Sequence, residues 1–85
     1  MQPLPMDPND IAELIEQGLE GSKATVFTDG QGHYEAVVIC ADFAGKRSLP
    51  RHQMVYSTLG ERVGREIHAL ALKTFTPDEW QASQP

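Results

Sequence analysis

The sequence predicts a small α+β domain in which helices cover a three-stranded mixed sheet in two layers. Hydrophobic patterns of helix and strand type follow one another in the order α-β-β-α-β-α. An Asp-Gly turn joins the first two strands, whereas a helix separates the second strand from the third and thereby permits a parallel pairing. We expect one domain, because 85 residues supply only one small core.

An apolar stripe predicts the first helix. Its members share one helix face and are Ile11, Leu14, Ile15 and Leu19. Asn9 or Asp10 is the expected N-cap, and glycines at positions 18 and 21 mark the end of the helix. Residues 1–8 contain three prolines and show no hydrophobic period, so we expect a disordered tail there.

Two strands joined by a tight turn follow this helix. Residues 22–28 are rich in β-forming side chains, residues 29–32 read Asp-Gly-Gln-Gly, and residues 33–41 form the second run. In the centre of the second run, residues at both even and odd positions are apolar. This pattern predicts a central strand that is buried on both faces. The only cysteine, Cys40, lies in this run, so we expect an unreactive thiol and no internal disulfide.

A second helix begins near Ser48, the expected N-cap, with Pro50 in its first turn. Glycines at positions 60 and 64 predict a break after it. Residues 67–75 alternate and predict the third strand, with Ile67 on one face and His68 on the other.

The last helix has a clear start signal. Thr76, Pro77 and Glu79 match a capping box with proline at the first helical position. Trp80 is expected to dock this helix onto the body of the domain. We expect residues 82–85 to fray.

The charges are unevenly placed along an acidic chain. The formal net charge is −5, yet residues 46–65 contain five basic side chains and one acidic side chain. Such a segment is either a solvated helix face or a contact surface for an acidic partner or phosphates. The members of this basic segment are Lys46, Arg47, Arg51, His52, Arg62 and Arg65. His52, judged by residue type alone, is a solvated helix residue.

Several function classes lack support. The histidines and the cysteine do not have the spacing of a closed zinc site, and neither a nucleophile elbow nor a glycine-rich phosphate loop is recognisable. The longest apolar run, residues 36–41, is far shorter than the roughly 20 residues that span a bilayer. The first residues do not resemble a signal peptide. We therefore expect a soluble cytoplasmic protein that is not an enzyme and does not associate with membranes.

Two histidines are the candidate ligands. His68 shares its parity with Leu70 and Leu72 at the start of the third strand. It is either a core histidine bonded to a carbonyl group or a partly exposed ligand at a strand end. His33 begins the second strand and would supply a second imidazole if the second and third strands are neighbours.

The chain resembles the BolA family. The shared pattern is Arg-His-x-x-Val-Tyr at 51–56, His-Ala-Leu at 68–70 and Thr-Pro-x-Glu-Trp at 76–80. The Gly-His-Tyr sequence at 32–34 and residues 42–45 fit as well. The resemblance covers about residues 9–81, which we take as the domain. It implies an αββαβ fold similar to class II KH domains.

The resemblance also implies a partner and a cofactor. Members of this family pair with monothiol glutaredoxins and share a two-iron, two-sulfur cluster in the heterodimer. The resemblance therefore implies a role in iron–sulfur cluster trafficking, iron regulation or stress response. The glutaredoxin supplies a cysteine and glutathione, and the strand histidine, here His68, is a further iron ligand. The chain alone is expected to hold no cluster and to be a monomer or a weak homodimer.

The second ligand of the family comes from the loop between the first two strands. In this chain the loop at 29–32 is short, as in the bacterial IbaG branch, and contains neither histidine nor cysteine. His33 is the nearest candidate, and it matches a family histidine at the start of the second strand.

Nucleic-acid binding is the alternative function. The family has been described as transcriptional regulators, and the basic segment would contact DNA or RNA. A KH domain clamps the backbone with a Gly-x-x-Gly loop, whereas Gly60 and Gly64 have Gly-x-x-x-Gly spacing. The net charge of −5 also weakens attraction to phosphates. A metal-free protein-interaction module is a third possibility.

Overall fold

The computed structural model describes residues 6–85, and its elements follow the predicted order. The helices are α1 (Pro8–Gly18), α2 (Ser48–Leu59) and α3 (Pro77–Ser83). The strands are β1 (Lys23–Thr28), β2 (His33–Ile39) and β3 (Ala69–Phe75). Two 3-10 turns, Ala41–Phe43 and Gly60–Arg62, follow β2 and α2. Within the described part of the chain, no helix has the length and apolar character needed to cross a membrane.

The three strands form one mixed sheet in the order β1-β2-β3. β1 and β2 are antiparallel, and their register runs from Lys23 opposite Ile39 to Thr28 opposite Tyr34. β2 and β3 are parallel, from His33 opposite Ala69 to Ile39 opposite Phe75. The crossover through α2 makes the parallel pairing possible. The predicted α+β class and the central position of β2 are therefore confirmed.

The core lies between one face of the sheet and the first two helices. Ile11 and Ile15 of α1 and Val55 and Leu59 of α2 are fully buried. The sheet and the turn after β2 contribute Tyr34, Ala36, Val38, Cys40 and Phe43. Cys40 is buried directly after β2 and is a free thiol.

The prediction that β2 is buried on both faces is wrong. His33 and Glu35 are exposed, and Val37 and Ile39 are only half-buried. The apolar core packs against alternate residues on one face of β2, so apolar residues of the other parity line a more open surface. The central position of β2 therefore explains the apolar residues that face the core, but not the apolar residues on the opposite, more open face.

The first helix begins earlier than predicted. Asp7, not Asn9 or Asp10, is the N-cap, because its carboxylate accepts a hydrogen bond from the Asn9 N–H group at 2.8 Å. Met6 packs against the core, and its carbonyl oxygen accepts a hydrogen bond from the Tyr34 hydroxyl at 2.6 Å. Residues 6–8 of the predicted tail therefore belong to the folded domain, and residues 1–5 of it lie outside the described residues.

The second helix also starts differently. Ser48 is its first residue and Arg47 occupies the cap position without a side-chain cap. The predicted break at the glycines is confirmed, since the 3-10 turn at Gly60–Arg62 follows the helix directly.

The third strand is shorter than predicted and begins at Ala69. Ile67 is fully buried, although Ala69 and Ala71 of the same parity are exposed. The alternation fails because the chain bends at His68 and Ile67 instead forms an isolated bridge with Val63.

The capped start of α3 matches the prediction. The Thr76 hydroxyl accepts a hydrogen bond from the Glu79 N–H group at 3.1 Å, and the Glu79 carboxylate accepts one from the Thr76 N–H group at 2.8 Å. Trp80 docks the helix by packing edge-on against Phe75, with 5.2 Å between ring centres. The helix continues to Ser83, so the first two residues of the segment expected to fray are helical.

Candidate functional site

His68 is exposed at the start of β3. The backbone N–H groups of His68 and Ala69 both donate to the carbonyl oxygen of Gly32, at 2.9 and 3.2 Å. These bonds tie the beginning of β3 to the turn that precedes β2. The interpretation of His68 as a core histidine is wrong, and the structure supports an accessible imidazole at a strand end.

His33 is the first residue of β2, and its side chain is 60% exposed. Its Nδ1 atom lies 3.1 Å from a carboxylate oxygen of Asp29. When Nδ1 carries the proton, it donates to Asp29 and leaves Nε2 free as a ligand atom. A carboxylate that orients an imidazole in this way is the usual outer partner of a metal-bound histidine.

The electrostatics of Asp29 favour this arrangement. A hydrogen bond from the Gln31 N–H group, at 2.8 Å, is the main cause that lowers the pKa of Asp29, and the contact with His33 lowers it further. The ionised form of Asp29 is therefore favoured, and it can accept a hydrogen bond from Nδ1 of His33.

The parallel register brings both histidines to the same end of the sheet. His33 lies opposite Ala69, the residue directly after His68. The second and third strands are neighbours, so the condition for a second imidazole at this end is met by the backbone, with His33 on the same face of the sheet as Ala69. Residues 6–85 contain no group of three or more His, Cys, Asp and Glu side chains that could hold a metal ion. Within the described residues, this end of the sheet therefore holds no complete metal site of its own.

An open depression of about 330 Å³ lies beside His33. Asp29 and Glu35 contribute carboxylates to its wall, whereas Phe27 and Ala71 contribute apolar surface. Phe27 is 57% exposed. An exposed aromatic ring next to a candidate ligand is a feature that a protein partner can cover.

Arg51 does not belong to a free basic surface. Its guanidinium group contacts both carboxylate oxygens of Glu79, at 2.7 and 3.1 Å. Its Nε atom donates to the carbonyl oxygen of Lys46 at 2.7 Å, and its side chain is only 11% exposed. The guanidinium also lies 5.7 Å from the ring centre of Phe43. Arg51 is therefore a structural residue, and the interpretation as a surface contact is corrected.

The other basic side chains fall into two groups. Lys46 and Arg47 are exposed just before α2, and Arg62 and Arg65 are exposed after it. The 12 residues of α2 separate the groups by about 18 Å. Arg62 and Arg65 share an open depression of about 360 Å³ with Glu61 and Glu66, which offset their charge. His52 is half-buried on α2 between the two groups. The basic segment therefore does not form one continuous surface.

Two residues of the site were missed in the sequence. The sequence indicates Asp29 only as part of a tight turn, and Gly32 only as part of that turn and of the Gly-His-Tyr motif. The sequence shows that Asp29 and His33 are four residues apart. Whether their side chains meet depends on the conformation of the turn between them, which the spacing alone does not give. The closeness of Gly32 to His68 depends on the parallel pairing of distant segments.

Comparison with known proteins places these features in a family. The model of the family described as BolA-like protein matches residues 15–79. The chain is 46% identical over 52 residues to the DNA-binding transcriptional regulator BolA of Haemophilus influenzae, a match that covers 61% of this chain and 50% of that protein. It is 36% identical over 87 residues to the DNA-binding transcriptional regulator BolA of Escherichia coli, covering 87% of this chain and 83% of that protein.

The architecture has a solved counterpart. The structure of a bolA protein homologue from Coxiella burnetii is similar with a TM-score of 0.81 and 45% identity, over 89% of this chain and 97% of that chain. The resemblance inferred from the sequence motifs is thereby confirmed. Because the family model covers most of the chain, from α1 to α3, this protein belongs to the BolA-like family.

Proposed function

We propose that this chain is a partner of monothiol glutaredoxins and shares a two-iron, two-sulfur cluster with them in a heterodimer, in iron–sulfur cluster trafficking or iron regulation. The observation that carries the proposal is the accessible imidazole of His68 at the start of β3. The family resemblance of the surrounding motif adds weight to it. A cysteine of the glutaredoxin and glutathione would supply the ligands that this chain lacks.

His33 is the proposed second ligand of this chain. It lies at the same end of the sheet as His68, and Asp29 leaves its Nε2 atom free. Two imidazoles at one edge match the donor chemistry of a cluster with mixed nitrogen and sulfur ligands. Such a cluster has a higher reduction potential than one held by thiolates alone.

The two histidines would make cluster binding dependent on pH. An imidazole ligates iron only in its neutral form, so protons compete with the metal. The Asp29 carboxylate would hold the proton of His33 at Nδ1 and keep Nε2 available. The exposed ring of Phe27, beside the same depression, offers apolar contact area to the glutaredoxin.

A spectroscopic titration tests the proposal. The chain is added to a cluster-loaded monothiol glutaredoxin while visible absorption and circular dichroism are recorded. We expect a new cluster spectrum that saturates at one chain per glutaredoxin and is absent with His68→Ala. His52→Ala is the matched control, because it removes a half-buried imidazole on α2 and should leave the spectrum intact. An unchanged spectrum with wild-type chain, or an unaltered response of His68→Ala, would contradict the proposal.

Direct nucleic-acid binding is the second candidate function. Two relatives carry the name DNA-binding transcriptional regulator, and Lys46 and Arg47 are exposed beside the start of α2. Binding of this kind weakens with salt, and each lost phosphate contact reduces the slope of log affinity against log salt by about 0.9. The double variant Lys46→Gln, Arg47→Gln should reduce this slope if these side chains bind phosphates. Equal slopes for both proteins would remove the support for this candidate.

A further inference from the structure

We propose that Gly32 is a positioning residue for His68: the lack of a side chain at position 32 lets the imidazole lie against the turn before β2. Gly32 is buried and has a φ of +84°. A Cβ atom at this position would lie 2.5 Å from Cδ2 of His68 and 3.2 Å from its Cγ. Carbon atoms pack at about 3.5 Å or more, so any side chain here would displace the ring.

The backbone cannot easily relieve this contact. The Gly32 carbonyl oxygen accepts hydrogen bonds from both His68 and Ala69, which hold the two segments together. The imidazole belongs to an exposed residue, so its displacement toward solvent is the less costly response. A side chain at position 32 would therefore move the ring and leave the strands paired.

The displaced atom, Cδ2 of His68, is next to Nε2, the ring nitrogen that would bind iron. Cδ2 is bonded to Nε2 in the imidazole ring, so a shift of Cδ2 changes the position of that nitrogen. The inference rests on the proposed function for its consequence, because only a ligand role makes the position of Nε2 important. The contact itself stands on the geometry of the turn and of β3.

Gly30 provides a matched control in the same turn. Its φ is +83°, nearly equal to that of Gly32, but a Cβ atom there would meet nothing within 4 Å. Alanine at either position places an L-residue in the left-handed region and carries similar backbone strain. Only alanine at position 32 would also meet His68.

The first arm of the test uses NMR on the chain alone. In the wild type and in Gly30→Ala we expect a nuclear Overhauser effect between Hδ2 of His68 and the α-protons of residue 32. In Gly32→Ala this effect should be lost and the His68 ring resonances should shift, while the cross-strand contacts of β2 and β3 persist. Unchanged His68 ring resonances and a retained Overhauser effect in Gly32→Ala would overturn the inference.

The second arm measures the lifetime of the cluster in the mixed complex. We expect Gly32→Ala to shorten it by about tenfold relative to Gly30→Ala, the size of effect typical for residues that orient a metal ligand. Equal lifetimes for the two alanine variants, with His68→Ala impaired, would overturn the positioning role. A normal lifetime for His68→Ala would instead overturn the proposed function, and the NMR arm would still decide whether Gly32 seats the ring.

Discussion

Arg51 of α2 and Glu79 of α3 form an ion pair with two hydrogen bonds, and this pair joins the last helix to the second helix. The guanidinium nitrogens lie 2.7 and 3.1 Å from the two carboxylate oxygens. Glu79 also accepts the N–H group of Thr76, so one carboxylate both caps α3 and fixes it to α2. The hydrogen bonds from Arg51 are the main cause that lowers the pKa of Glu79 from 4.5 to about 2.

The pH dependence of stability follows from this shift. A carboxyl group with a lower pKa in the folded state stabilises the fold above its unfolded pKa, and this stabilisation is lost as the pH falls. The contribution of Glu79 should therefore disappear between pH 4.5 and about 2. Acid unfolding followed by circular dichroism should show a weaker loss of stability over this range for Glu79→Gln than for the wild type. Asp78→Asn, which changes the neighbouring residue of α3, is the control, and equal acid sensitivity of wild type and Glu79→Gln would contradict the prediction.

Trp80 should contribute less to stability than a core aromatic residue. It is half-buried and packs edge-on against Phe75, whereas Phe43 is fully buried. Phe43→Ala should cost about 3–5 kcal/mol. Trp80→Ala should cost about 1–2 kcal/mol, because it loses one aromatic pair and part of its buried area. Urea unfolding measures both values, and a cost for Trp80→Ala as large as that for Phe43→Ala would contradict the ranking.

Asp29→Asn should change the orientation of the His33 imidazole while the turn at 29–32 keeps its fold. The asparagine side chain keeps an oxygen that can accept the Gln31 N–H group, but it removes the carboxylate that faces His33. We expect a slightly lower melting temperature, because the ionised carboxylate stabilises the turn, and a lifetime of the shared cluster that is shorter by about tenfold. Glu13→Gln removes an exposed carboxylate of α1, away from the depression beside His33, and should leave this lifetime unchanged. Equal lifetimes for the two variants would argue against His33 as a ligand.

Tyr34→Phe should loosen the segment before α1. The Tyr34 hydroxyl donates to the carbonyl oxygen of Met6 at 2.6 Å, and burial is the main cause that raises the pKa of Tyr34. Loss of this hydrogen bond should cost about 1 kcal/mol. Hydrogen exchange should accelerate in the first turn of α1 more than in α2. Uniform exchange changes across both helices would show that the effect is not local.

The elements specified by neighbouring residues were predictable from the sequence. The capping box at Thr76 and Glu79 and the Asp-Gly turn depend on residues only a few positions apart, and both occur where predicted. The N-cap of α1 differs from the prediction because Asp7, Asn9 and Asp10 are all good capping residues, and the local signal that distinguishes Asp7, Pro8 at the first helical position, lies in the segment interpreted as a tail.

The candidate site was only partly predictable. His68 and His33 were identified by type and position, but the exposure of His68 depends on a bend that a regular alternation conceals. Arg51 looked like one more surface charge because its partner Glu79 is 28 residues away. Long-range pairs of this kind leave no periodic signal in a single sequence.

The most direct measurement of the central claim is the nitrogen hyperfine spectrum of the reduced cluster. The chain is labelled with ¹⁵N on histidine, mixed with an unlabelled cluster-loaded glutaredoxin, and studied by pulsed EPR. We predict ¹⁵N couplings of directly bound imidazole, with the coupling assigned to His68 absent in His68→Ala and retained in His52→Ala. A reduced cluster in the complex without any ¹⁵N coupling from this chain would contradict the claim that it supplies an iron ligand.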